Sequence, residues 1–393
     1  MSTEKLRDLV ENEDARRRAF PVAEETIYLG HAGVCALPRA ATGAMREFLD
    51  HSERGVQELP WAYDICEKAR EDGAALLGAK AEEIALLGPT SVGLSLVAAG
   101  LPWEPGDEVV YYADDYPSNV YPWSQLAGRG VTAVPLAPPS PGVIVWDLIE
   151  ALLTKKTKLV ALASCHFLSG YRIDIDTIGR ELHARNILFC VDGIQTVGAF
   201  PTPVEHVAFL SADSHKWMLG PAAAGIFYVD KSKQDLLKPI LLGASNVHSP
   251  DFIAQDDIGF IETAKRYEPG ILNLPGIIGM QGSMQLLLDL GIDAVAARLL
   301  ELRRAFLEGL RPLGYRLYLD DWDQGPEATS ANRSAIIALS HPGRDIRPVY
   351  GALGDAGVVT SFRRNRAGEM FIRLSPHFYN TFEEVDKVIE LMK

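Results

Sequence analysis

Cysteine is scarce in this chain: four residues in 393, at Cys35, Cys66, Cys165 and Cys190, with none beyond position 190. No two are spaced as a CxxC pair or a zinc knuckle, and no histidine pair has ligand spacing. A disulfide scaffold and a structural metal are therefore not expected, and the thiol usage suits a reducing compartment. An excess of positive charge is also missing. Thirty-eight Lys and Arg face 52 Asp and Glu, a net charge of −14, which argues against a nucleic-acid surface and leaves room only for a local basic pocket. Uninterrupted apolar runs are lacking too. Residues 84–103 carry no charge, but Gly88, Pro89, Gly93, Gly100 and Pro102 punctuate them, so a membrane helix is not expected. The opening Met1-Ser-Thr-Glu-Lys-Leu-Arg is too charged for a signal peptide. These absences predict a soluble, cytoplasmic protein without internal repeats or low-complexity tracts.

At 393 residues, one large and one smaller domain is the natural expectation. Residues 4–19 read as a charged amphipathic helix with Leu6, Leu9 and Val10 on one face. Short, nearly continuous apolar runs follow at 108–112, 131–136, 159–163, 187–192, 207–212 and 225–229, with helical stretches between them such as 145–153 and 176–185. That alternation predicts an α/β fold, a mainly parallel sheet flanked by helices. After a loop-like stretch at 245–270, helical spacing of Leu299, Leu302, Phe306 and Leu310 gives way to short strands at 334–338 and 370–374 and a last helix carrying Val385, Val388, Ile389 and Met392. We expect an N-terminal helical segment (1–25) packing with the small domain, a large domain (26–260) and a smaller α+β domain (261–393).

Two segments carry the chemistry. Asp192 lies in Phe189-Cys-Val-Asp-Gly-Ile-Gln-Thr-Val-Gly198, and Lys216 follows 24 residues later in Ser211-Ala-Asp-Ser-His-Lys-Trp-Met-Leu-Gly-Pro221. Asp192 should fall at the carboxyl end of a buried strand, where ligands of open α/β sheets bind. It is either a turn aspartate before Gly193 or an ion-pair partner for a ligand. Lys216, beside His215 and an apolar Trp-Met-Leu, is placed to be a partly desolvated nucleophilic amine. An amine for a Schiff base and a carboxylate for a pyridine nitrogen are the two opposed contacts pyridoxal 5'-phosphate needs. Gln195 could donate to the cofactor's phenolic oxygen. Gly88-Pro-Thr-Ser-Val-Gly93 offers helix-start N–H groups and the hydroxyls of Thr90 and Ser91 as an anion site, with Ser214 and His215 as further phosphate contacts. Tyr116, in Asp115-Tyr-Pro-Ser-Asn-Val-Tyr-Pro-Trp123, is placed to stack on a flat ring, whereas Trp123 reads as core.

Together these segments resemble the class V aminotransferase superfamily of fold-type I pyridoxal-phosphate enzymes, which includes cysteine desulfurases and kynureninase-like and isopenicillin-N-epimerase-like proteins. The resemblance runs from Tyr28-Leu-Gly-His-Ala-Gly33 through the Asp192 and Lys216 segments and Tyr267-Glu-Pro-Gly-Ile-Leu-Asn-Leu-Pro-Gly276 to Ile372-Arg-Leu-Ser-Pro-His-Phe-Tyr-Asn-Thr381. It implies that Lys216 carries the cofactor and that Asp192 meets its ring nitrogen and Gln195 its ring oxygen. Thr90, Ser214 and His215 would hold phosphate, Tyr116 would stack, and Arg373 would grip the substrate carboxylate. It also implies a homodimer with active sites at the interface and a small amino-acid substrate, with His31 and His166 as further substrate contacts.

Three departures from the family pattern stand out. Ile271 replaces a threonine that in many relatives reaches the neighbouring subunit's phosphate, for which Asn273 or Tyr267 would have to compensate. His166 stands where relatives usually carry an amide. Third, segment 358–370 holds no cysteine where desulfurases carry a mobile nucleophilic one. Transamination of a small amino acid is the expected reaction; a C–S or C–C lyase without a catalytic thiol is the alternative, epimerisation a third, and a non-catalytic binding or assembly role, which the intact Lys216, Asp192 and Arg373 argue against, comes last.

Overall fold

The computed structural model describes residues 2–393. Its centre is a seven-stranded sheet in the order Ile84–Leu87, Gly225–Val229, Phe209–Asp213, Leu188–Asp192, Thr157–Ala163, Glu108–Tyr112, Thr132–Leu136. Only Gly225–Val229 runs antiparallel to its neighbours; the five strands from Phe209–Asp213 outward pair in parallel. The expected α/β sheet is present, and the strand ends lie within a few residues of those read from the apolar runs.

Alternation explains why these segments are strands with two covered faces. Val110, Val160, Leu162, Phe189, Val191 and Leu210 enter one apolar cluster, while Val109, Leu159, Ala161, Cys190 and Phe209 enter another on the opposite face. Side chains of successive strand residues point to opposite faces, so a continuous apolar run fills both layers at once. The helix Thr90–Gly100 packs close against the sheet. A Cβ on Gly93 would stand 2.4 Å from Ser211 Oγ and 2.9 Å from Phe227, so only glycine lets the helix start sit so low.

A second, antiparallel sheet joins Ser361–Arg364, Met370–Leu374, Ile337–Ser340 and Arg316–Leu317. The strand expected at 334–338 is shifted to Ile337–Ser340 because the edge partner Arg316–Leu317 registers with Leu339 and Ser340. The helix Phe382–Leu391 that follows opens on a capping box in which Thr381 and Glu384 satisfy each other's backbone N–H. A short parallel pair, Ile27–Tyr28 with Val358–Val359, brings the N-terminal part of the chain beside this sheet.

The helix expected over 4–19 is two helices, Ser2–Glu11 and Glu13–Ala19. Asn12 separates them: its backbone is extended (φ −95°, ψ 96°) and its side chain accepts the Ala15 N–H at 3.0 Å, so it caps the second helix rather than continuing the first. Arg16, buried on that second helix, reaches Glu384 and the Tyr379 carbonyl near the other end of the chain. Among the described residues no helix is long and apolar enough to cross a membrane.

Candidate active site

The parallel strands all end on one edge of the sheet, and the register aligns Ala163, Asp192 and Ser211 there. The loops leaving that edge, together with the start of helix Thr90–Gly100 and the 359–363 segment, enclose a cavity of ≈ 700 Å³. Asp192, Gln195, His215, Lys216, Thr90, Ser91, Tyr116 and Arg373 all line it. Residues spread over nearly three hundred positions of chain thus converge where open α/β sheets bind ligands.

Lys216 and Asp192 are both buried. Desolvation pushes the lysine amine below its ordinary range, opposed by the charge of Asp192 and aided by Arg373 and Arg363. For Asp192 desolvation raises the carboxyl and Asp115 adds to the effect, while the Ile194 N–H, donating to Asp192 Oδ1 at 3.0 Å, and Lys216 oppose it. The ammonium of Lys216 stands 5.3 Å from the centre of the Tyr116 ring, which is itself edge-on to Phe167. Gln195 is held at both ends of its amide: Nε2 donates to the Ala32 carbonyl at 3.2 Å and Oε1 accepts the Trp217 indole N–H at 2.7 Å.

The anion corner is built by the first turn of Thr90–Gly100. Pro89 precedes it with no side-chain cap, so the Thr90 and Ser91 N–H groups have no intrahelical partner, while Val92 N–H donates to the Pro89 carbonyl at 2.8 Å. The Thr90 hydroxyl accepts the Asp213 N–H at 2.9 Å, and Asp213 Oδ1 stands 2.8 Å from His215 Nδ1. Asp213 therefore fixes two of the expected phosphate contacts. It was not picked out from sequence, although it lies within the same Ser-Ala-Asp-Ser-His-Lys run.

Arg373 is 1 % exposed, and only Nη1 is engaged, donating to the Phe167 carbonyl at 2.7 Å. Its Nε and Nη2 are buried without a partner. Desolvation, followed by the charge of Arg363, works against its charged form, so an anion between these arginines would relieve an unpaired buried charge. Arg363, Thr360 and Ser361 also line the cavity. They come from the segment that pairs with Ile27–Tyr28 and with Met370–Leu374.

Four expected site residues, and one possible substitute, do not line this cavity within the single chain. Ser214 is fully buried and donates to the Pro221 carbonyl at 2.9 Å, closing its own loop. Asn273 caps helix Leu274–Leu290 through the Gly276 N–H and donates to the Ala223 carbonyl. His31 is enclosed by Ser375 O (2.9 Å) and Tyr379 Oη (3.0 Å), and His166 by Ser169 Oγ (2.9 Å) and Asp114 O (3.1 Å). Burial pushes both imidazoles down to about 4, which favours their neutral form. Tyr267, the other candidate to replace the missing threonine, is a core residue whose hydroxyl donates to the Leu237 carbonyl at 2.9 Å. Asp176, Glu205 and His206 form a surface acid–histidine cluster, but they take no part in lining the cavity.

The cysteines do not line the cavity either. Cys35, Cys66, Cys165 and Cys190 are all buried; desolvation pushes the first three up to about 12 and also raises Cys190 well above its ordinary value. Among the described residues no thiol lines the cavity.

An amine opposed to a carboxylate, an uncapped helix start with hydroxyls and a histidine, and an arginine with two idle donors fit pyridoxal 5'-phosphate and an amino-acid carboxylate. Fold and site define a pyridoxal-phosphate-dependent enzyme of fold type I. The chain belongs to the class V aminotransferase family, which it matches over residues 27–388. It is 30% identical over 286 residues to a probable cysteine desulfurase of Methanothermobacter thermautotrophicus, covering 71% of each chain. To the uncharacterized aminotransferase YcbU of Bacillus subtilis it is 25% identical over 378 residues, 95% of each. The apo cysteine desulfurase of Thermococcus onnurineus NA1 superposes with a TM-score of 0.86 at 25% identity over 97% of both chains. The cystine C–S lyase C-DES, in complex with its product cysteine persulfide, shares the fold with a TM-score of 0.83 at 20% identity, over 94% of this chain and 98% of that one.

Proposed function

We propose that this enzyme is a lyase that breaks the Cβ–S bond of a small sulfur-bearing α-amino acid, cysteine or cystine, without a protein thiol. One observation carries the reading: relatives named as desulfurases are similar to this chain, yet its four cysteines are buried, none lines the cavity, and burial favours their protonated form. The thiolate, not the thiol, is the nucleophile, so sulfur has no acceptor on the protein and must leave free. Transamination, the expectation from sequence, has less support from the relatives. It stays as a second proposal together with a kynureninase-like or epimerase-like placement, since both need no thiol.

In this reading Lys216 holds the cofactor covalently, Asp192 its ring nitrogen and Gln195 its ring oxygen. Thr90, Ser91 and His215 hold phosphate, and Tyr116 covers the ring face. Bound there, pyridoxal phosphate supplies an electron sink for a carbanion at the substrate Cα. Arg373 grips the carboxylate with the two donors it has idle, and orients Cα. Lys216 would be free to take the Cα proton once the substrate amine has replaced it, and desolvation favours the neutral form of its amine. The electron pair of the Cβ–S bond leaves with sulfur, and water completes the products as pyruvate and ammonia. A homodimer is proposed as well, since Ile271 exposes its apolar side chain (70%) on the Tyr267–Gly276 segment, where many relatives carry a threonine that reaches the neighbouring subunit. A cytoplasmic location is proposed from the four free thiols.

The test supplies cysteine or cystine to the cofactor-loaded enzyme with no keto acid. Pyruvate, ammonia and sulfide or persulfide are expected in equal amounts, undiminished after alkylation of accessible thiols. Amino transfer to an added keto acid with no sulfur release, or a persulfide carried on the protein, would defeat the proposal.

A further inference from the structure

We propose that Trp217 is a positioning residue whose indole N–H locks the Gln195 amide so that the amide's remaining N–H faces the cavity. The proposal rests on the pyridoxal-phosphate reading of that cavity. Trp217 is fully buried and does not line the cavity, whereas Gln195 is 3% exposed and does. The two meet at 2.7 Å, Trp217 Nε1 to Gln195 Oε1. An indole N–H only donates and the Ala32 carbonyl only accepts. Gln195 is held between them, with Nε2 on Ala32 at 3.2 Å. A flipped amide would set carbonyl against carbonyl and N–H against N–H, two buried mismatches at once.

The orientation leaves one N–H of Nε2 unspent, so this side chain presents a donor to an acceptor such as the cofactor's phenolic oxygen. Both partners are themselves anchored. His377 Nε2 donates to the Trp217 carbonyl at 3.1 Å, and Ser375 Oγ accepts the Ala32 N–H at 3.0 Å. The residue beside the reactive lysine thus carries orientation across to the Asp192 loop, a link that runs through side chains rather than along the chain.

Trp217→Phe removes the donor and keeps an aromatic ring. On enzyme loaded with pyridoxal phosphate, we expect cofactor affinity to fall roughly tenfold, and the pH midpoint of the visible band to rise by about one unit, as befits one lost hydrogen bond to an anionic oxygen. In a Gln195→Leu background the same substitution should add almost nothing, because its effect passes through Gln195. If Trp217→Phe leaves the midpoint in place, or shifts it equally in both backgrounds, the proposal fails. Should that variant not fold, ¹⁵N-labelled tryptophan in otherwise native protein serves instead: one indole N–H resonance must move in Gln195→Leu, and its failure to move is equally decisive against the lock. A parent enzyme that gains no visible band with pyridoxal phosphate would instead sink the cofactor reading, and this one with it.

Discussion

Lys216 illustrates how a residue's chemistry depends on what lies across from it. Its ammonium is desolvated, faces the carboxylate of Asp192 and feels two arginines. A surface lysine has none of these pressures and stays a solvated cation. Lys216→Ala should therefore lower turnover by more than about 10⁴-fold, since general-base catalysis alone contributes roughly 10²–10⁴ and covalent attachment adds to it. Pyridoxal phosphate should still bind, because Asp192, Gln195 and the helix start are untouched, and quenching of tryptophan fluorescence would report it. Retained turnover in this variant would remove the lysine from its role. Arg373 follows the same logic: two idle buried donors are costly unless a ligand engages them. Lys216 and Asp192 were legible as residues. His31 and His166 do not line the cavity, and an imidazole enclosed by a carbonyl and a hydroxyl reads, in sequence, like one aimed at substrate.

Elements position these residues, and one buried ion pair holds several elements together. Arg70, on helix Pro60–Leu77, grips Glu268 in a bidentate pair, with Nη2 to Oε2 at 2.8 Å, and Glu268 also accepts the Leu86 N–H from strand Ile84–Leu87. Both side chains are almost fully buried. Arg70→Ala should cost about 3–5 kcal/mol, since it strands a buried carboxylate rather than merely deleting a contact. Denaturant unfolding measures this, and a loss below about 1 kcal/mol would show the carboxylate finds water or another partner. Helix boundaries were legible where caps are local, as at Thr381 with Glu384. The break at Asn12 was missed because the apolar stripe of Leu6, Leu9 and Val10 masks a capping residue that also suits a helix surface.

Across the whole molecule, buried neutral histidines set the acid limit of stability. Burial lowers both His31 and His166 to about 4 in the folded chain, from an ordinary value near 6.5. Between those values the unfolded chain binds more protons than the folded one, so stability rises with pH there and is lost as pH falls from about 6.5 toward 4. Each histidine accounts for roughly 3 kcal/mol at full effect. Unfolding free energies at pH 7 and pH 4.5 should differ steeply, and His166→Asn should flatten that slope. An identical slope in the variant would mean His166 is protonated within the fold.

Sequence alone determined the sheet and the Asp192–Lys216 pairing, because period-two burial and strand-end chemistry are local properties of short segments. The tertiary structure decided which of the remaining polar residues share the cavity. Arg363 and Ser361 enter through strand pairing, Asp213 backs the cavity by donating its N–H to the Thr90 hydroxyl and accepting the His215 backbone N–H, and Ser214, Asn273, His31 and His166 bond to neighbours without lining it. Whether a polar side chain faces a ligand or a carbonyl depends on long-range packing, and no pattern of adjacent residues encodes that.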